Sequence, residues 1–178
     1  SQMPSATLIF AAAAALAAAP FSVTSPIVEA GFTPKQILNG FGCTGENQSP
    51  AVSWTGAPEG TKSFALLVHD PDAPTGGAGW WHWSVFDIPA SAEGLPAGAT
   101  ADSGIPAGAV QGPTDFGAPG WGGPCPPEGK GKHRYIFSLH ALGVETLTVP
   151  DGATASMIGY LVNHNTLATA RFETTFER

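Results

Sequence analysis

Three strand-length apolar runs dominate the chain, and each is cut off from the next by a segment that regular structure cannot absorb. Ser63–Val68 (SFALLV), Trp81–Ile88 and Tyr135–Leu142 are close to continuously apolar. Runs of that length, bounded by turn residues, read as central strands. Between the first two lies DPDAPTGGAG, Asp70–Gly79, whose two prolines and three glycines exclude helix and strand alike. Residues 89–111 are rich in Ala, Gly and Pro and read as a surface excursion, and 114–131 as a further loop. The 178-residue chain holds 23 glycines and 17 prolines, while only 12% of it is charged. That profile suits a turn-rich β fold and disfavours a helical bundle, which needs more Glu, Lys and Arg.

Weaker signals fill in the rest. Residues 21–25 and 51–54 alternate as short strands, residues 27–48 read as loop with one short strand, and Leu147–Val149 as a further short strand. Ala153–Asn165 has helical spacing, with Met157, Ile158, Leu161 and Val162 on one side and Asp151 as N-cap. Ala168–Phe176 alternates as a final strand. The sum is a mainly β chain, two packed sheets with one late helix. It divides into an apolar, Ala-rich segment at 1–20 and a single domain at 21–178.

The run Leu8–Ala19 (LIFAAAAALAAA) has the length of a signal-peptide hydrophobic region, and Ala17 and Ala19 fit an A-x-A cleavage site. It is too short for a membrane span. Read as an export signal, it makes the protein periplasmic or secreted. The alternative is an alanine-rich helix packed on the domain, and a cytoplasmic protein. Cys43 and Cys125 both sit in glycine-rich loops, and export would oxidise them if they are adjacent. The alternative is two buried free thiols. Two cysteines without a C-x-x-C partner form no zinc site. No metalloprotease helix motif, phosphate loop, G-x-S-x-G elbow or dinucleotide fingerprint is present, so no metal or cofactor is expected. The net charge of -7 argues against nucleic acid, whose phosphates require a basic footprint. The only basic cluster is Lys130, Lys132, His133 and Arg134.

Three motifs carry chemistry. In DPDAP, Pro71 and Pro74 stiffen a turn that presents Asp70 and Asp72. Two adjacent carboxylates ionise together only with donors nearby, and His82 and His133 are candidates. The plainer reading has both aspartates accepting turn hydrogen bonds. In GWWHW, strand alternation places Trp81 and Trp83 on one face and His82 on the other. In GGPCPPEGKGKHRY, the amides of Gly122 and Gly123 offer donors to an oxyanion. His133 and Tyr135 share a strand face, and Arg134 points away toward a structural ion pair. His69, His140 and His164 are dispersed and read as structural.

Taken together, these motifs resemble the phosphatidylethanolamine-binding protein (PEBP) family, above all its bacterial Raf-kinase-inhibitor-like branch. GENQSPAVSWTGAPEGTKSFALLVHDPDAP and DFGAPGWGGPCPPEGKGKHRYIFSLHAL carry the likeness, which runs from about Phe21 to Arg178. The resemblance implies a β-sandwich with a small pocket at one end for phosphate, phosphorylethanolamine or a carboxylate such as acetate. Carried over by motif, that pocket is Asp70 and His82, with His133 opposite, Tyr135 beside it, and Asp72, Gly123, Pro126 and Pro127 near the rim. A cationic imidazole held by a carboxylate would offset the anion's desolvation. A tryptophan wall would strengthen the contact by lowering the local dielectric.

Three function classes follow. The first is a binding module for a small anion or phosphorylated head group, with regulation through a protein partner left open, as is oligomerisation. The second is a protein inhibitor of a protease or kinase, docking through loops such as 90–111. The third is an enzyme using the pocket for acid–base chemistry on a small acid or anhydride. No nucleophile or metal is evident, which favours the first.

Overall fold

The structure is a computed structural model that describes residues 1–4, 8–9, 11–12 and 19–178. Most of the apolar run at 8–19, with its export-signal and packed-helix readings, lies outside the described residues. In chain order the elements are β1 (Ser22–Thr24), α1 (Ile27–Ala30), β2 (Asn39–Gly40), β3 (Cys43–Thr44), β4 (Val52–Thr55), β5 (Ser63–Asp70), β6 (Trp80–Pro89), β7 (Gly94–Leu95), β8 (Val110–Gln111), β9 (His133–Leu142), α2 (Ala155–His164) and β10 (Thr166–Phe176). The large sheet has the order β10-β9-β5-β6-β8, the smaller sheet is β1-β4-β7, and β2-β3 is a separate hairpin. Every pairing is antiparallel.

The central strand β5 explains the layering. Its residues are buried almost throughout because both faces are covered. Phe64, Leu66 and Val68 join Trp83, Val85, Phe137 and Leu139 in a core closed by Val52, Trp54 and Leu95 of the small sheet. Ala65 and Leu67 face the other way and pack with Phe86, Ile158 and Val162 under α2. A strand buried on two sides needs apolar residues at every position, so its sequence shows no alternation. β10 lies at the sheet edge and keeps the alternation, with Ala170 and Thr174 buried between exposed neighbours.

Several local expectations are corrected. Leu147–Val149 is not a strand: the Leu147 amide donates to the Asp87 carboxylate at 2.8 Å, and the segment runs irregularly beneath α2. The N-cap of α2 is Thr154, whose hydroxyl accepts from the Met157 amide at 3.1 Å, and not Asp151. Gly152, at φ 75°, turns the chain between Asp151 and the helix. The buried stripe of α2 is Ala155, Ile158, Gly159 and Val162, while Met157 is exposed. Trp81 packs against that face at Gly159. Residues 27–48 hold the single-turn α1 and the β2–β3 hairpin, and the excursion 89–111 adds β7 to one sheet and β8 to the other.

Cys43 and Cys125 are joined in a disulfide across 82 residues of chain. It ties the β2–β3 hairpin to the Pro124–Pro127 loop. Replacing both cysteines by serine is expected to lower stability by about 4.5 kcal/mol in the chain-entropy model. Urea unfolding of the double variant against wild type measures this, and an unchanged midpoint would show that the unfolded state is constrained by other means.

Candidate functional site

The ends of β5, β6 and β9 meet at one end of the large sheet, and each ends in a polar side chain. Asp70 closes β5, His82 lies near the start of β6, and His133 opens β9. All three are buried. His133 Nδ1 donates to Asp70 Oδ2 at 2.7 Å, and the other carboxylate oxygen accepts from the Asp72 amide at 2.8 Å. His82 Nδ1 donates to the Gly122 carbonyl at 2.6 Å, which orients its ring. Each histidine therefore keeps its Nε2 edge without a hydrogen-bond partner among the described residues.

A β-bulge delivers His82 to this place. Val68 pairs with Trp83 and His69 with Trp81, so His82 has no opposite residue on β5. The extra residue breaks the alternation. Trp83 enters the sandwich core, Trp81 packs on the α2 side against His69, and His82 meets Tyr135 at 5.2 Å. The expectation that Trp81 and Trp83 share a face is thereby corrected. The freed backbone of His82 bonds outward instead, its carbonyl accepting from Gly122 N at 2.9 Å. Asp115 does the same one residue earlier, exchanging bonds with both backbone groups of Trp81. The 112–123 loop thus runs along the edge of β6, bonded to it at Trp81, His82 and Ser84.

Asp70, His82, His133 and Tyr135 line a cavity of ≈ 160 Å³ with Trp80, Phe116, Pro126 and Pro127. That is below the roughly 300–1,000 Å³ of drug-sized pockets and suits a small ligand. The indole N–H of Trp80 is buried without a hydrogen-bond partner. Larger clefts exist, but their chemistry is poorer. One of ≈ 760 Å³ is walled by the Ala-, Gly- and Pro-rich excursion and holds no histidine. One of ≈ 460 Å³ on the α2 side contains His69 and His140, whose rings are engaged by the Ala78 carbonyl and by Thr166 and Thr169.

Two residues assigned to the rim do other work. Asp72 accepts two bonds from the Arg134 guanidinium, at 3.0 Å each, and one from its backbone amide at 2.8 Å. The Arg134 bonds hold its carboxyl down at about 2. The pair pins the DPDAP turn to β9, as the outward-pointing Arg134 suggested. Gly123 N donates to Asn47 Oδ1 at 2.7 Å and Gly122 N to His82, so neither amide is free for an oxyanion. Gly123 is glycine because a Cβ there would collide with the Gln36 carbonyl. Sequence reasoning missed Trp80, Phe116, Leu38 and Phe41 as lining residues; only the GWW doublet hinted at one of them.

The sequence of the whole domain supports a common origin for this site. Residues 28–177 match the family model for phosphatidylethanolamine-binding protein. The chain belongs to that family. It is 48% identical over 164 residues to YbcL of Escherichia coli K12, covering 90% of this chain and 89% of YbcL. The crystal structure of E. coli YbcL superposes with a TM-score of 0.84 at 46% identity, over 90% of this chain and 99% of that one. A relative from Mycobacterium tuberculosis named as a lipoprotein, LppC, is 38% identical over 175 residues, 98% of this chain and 81% of LppC. The PEBP sandwich and its bacterial branch are therefore the correct frame for the chain.

Burial pushes His82 down to about 4, against the opposing pull of the Gly122 carbonyl and the Asp70 charge. The ligand-free His82 ring is therefore neutral at pH 7. Burial also pushes the Tyr135 hydroxyl up, so it stays protonated. His140 is likewise pushed down to about 4 by burial. Both histidines take up protons in the unfolded chain near 6.5 but resist them when folded. The contribution of these two rings to stability is therefore present above the unfolded value of about 6.5 and is lost as pH falls toward 4. The ligand-free protein is expected to lose roughly 2 kcal/mol per histidine between pH 7 and 5, with His82→Asn removing about half of that dependence. Urea midpoints at both pH values test this, and a variant with the wild-type pH slope contradicts a neutral, buried His82.

Proposed function

We propose that the protein is a binding module for a small oxyanion, of the phosphate or carboxylate type, held in the ≈ 160 Å³ cavity. One observation carries the reading: two buried histidines line the same cavity, each fixed through Nδ1 and each with Nε2 uncommitted. Fixing one nitrogen leaves the other as a pre-oriented contact. Among the described residues, no nucleophilic Ser, Cys or Lys lines this cavity in a free form, Cys125 being held in the disulfide. That supports binding over turnover. The disulfide and the lipoprotein relative support action outside the cytoplasm. No helix among the described residues is long and apolar enough to cross a membrane.

The neutral state of His82 gives the reading a signature. A neutral ring that donates through Nδ1 presents a lone pair at Nε2, which repels a bare oxyanion. Contact between His82 and the anion therefore needs a proton, either on His82 or on the ligand. Affinity for sulfate, which does not titrate near neutrality, is expected to rise as pH falls from 8 to 5, by up to about tenfold per unit for one coupled proton. Calorimetry in buffers of different ionisation heat should show net proton uptake. His82→Ala should abolish both. Sulfate binding that is flat with pH, or unaltered in the variant, rejects the proposal.

A further inference from the structure

The floor of the cavity is polar, but its mouth is aromatic and built at a cost in backbone strain. The β2–β3 hairpin turns through Phe41 and Gly42, with φ of 51° and 87°. Two positive φ values in a two-residue hairpin loop define a type I′ turn, whose preferred first residue is Asn or Asp ahead of Gly. Phenylalanine is disfavoured there by its Cβ and its bulk. The Phe41 side chain gains little burial in return, being 75% exposed. It does line the cavity, and its ring stands 5.6 Å from Phe116, which in turn meets His82 and Trp80 edge-on at 5.4 Å each. A strained, exposed aromatic at a ligand site has no folding rationale, and such outliers concentrate where the strain serves the site.

We infer that Phe41 is a specificity residue, and that the anion bound on the floor carries a flat apolar substituent which packs against the Phe41–Phe116 pair on its cavity side. This rests on the reading of the floor as an oxyanion site. The class is an aryl phosphate, phosphonate or carboxylate. A cationic substituent fits less well, because the mouth has no free acid to meet it. Asp70 is committed to His133 and to the turn, and Asp72 is held by Arg134. Leu38, Pro74, Pro126 and Pro127 complete an apolar surround that would desolvate an aryl group without leaving a polar atom unpaired. The lip is anchored rather than loose. Cys43, directly after the turn, is bonded to Cys125, and Cys125 itself lines the cavity. The hairpin and the proline loop therefore form two joined sides of one opening.

Phe41→Asn separates the role in binding from any role in folding. Asparagine is the residue the turn prefers, so the variant should be at least as stable as wild type in urea. Titration calorimetry with phenylphosphonate and methylphosphonate, which present the same anion, gives the selectivity of each protein. Wild type is expected to favour phenylphosphonate. The ratio of the two affinities should fall about 3- to 10-fold in Phe41→Asn, the range of one aromatic pair. An unchanged ratio, or a wild type with no preference, overturns the inference while leaving the anion site intact. If wild type binds neither probe at millimolar concentration, the anion site falls, and this inference with it.

Discussion

Strand β5 is the constraint on which the rest depends. It is paired along its whole length on both edges, with β6 and with β9, and it is covered on both faces. A one-residue shift would exchange Phe64, Leu66 and Val68 with Ala65 and Leu67 between two cores of different shape. The registers of β6 and β9 are fixed against it, so the ends of all three strands are fixed too. Asp70, His82 and His133 occupy those ends. The site is precise because it stands on the most rigid part of the molecule, and its geometry needs no ligand to assemble it.

The two aspartates show how that scaffold divides chemically identical groups. Asp70 is buried and holds His133, and Asp72 is part-exposed and holds Arg134. Only Pro71 separates them, yet strand alternation sends Arg134 outward and His133 inward. An exposed ion pair contributes little by itself. The Asp72–Arg134 pair matters because the backbone amide of Arg134 joins it, so the DPDAP turn is clamped to β9 at three points. Asp70 is in the opposite situation. Removing His133 would strand a carboxylate in a place where only one turn amide remains to solvate it, and breaking a buried pair is costly for that reason.

The strands that carry the site were legible because burial on both faces writes long apolar runs, and the turn between β5 and β6 because proline and glycine exclude everything else. The family likeness then named Asp70, His82, His133, Tyr135, Pro126 and Pro127, all of which line the cavity. What escaped was set by pairing rather than by local pattern. The bulge at His82 depends on the register of two strands, which no single run reveals, and it moved Trp81 to the opposite side of the sheet from Trp83. The engagement of the Gly122 and Gly123 amides depends on Asn47 and on the freed carbonyl of His82, partners 76 and 40 residues away in the chain. Leu147 failed as a strand for a similar reason: Asp87, at φ 56°, reaches across to hold its amide.

The mouth of the cavity joins chain segments that have no other cause to meet. The hairpin that holds Phe41 pairs with neither sheet. Its base is held by backbone bonds, Leu38 N to Pro124 O at 3.2 Å and Gly45 N to Leu38 O at 2.9 Å, and by Asn47, which spans Trp121 and Gly123. Among the described residues its tip is held by the disulfide and the Phe41–Phe116 contact. An element with so little burial sits at the low end of local stability in any fold. The covalent link confines it where packing does not, closing a loop that contains β4, β5, β6, β7 and β8. The floor is thus rigid through pairing and the lip through a single cross-link. In a reducing environment the floor would keep its geometry, and the lip would lose the bond that joins its two sides.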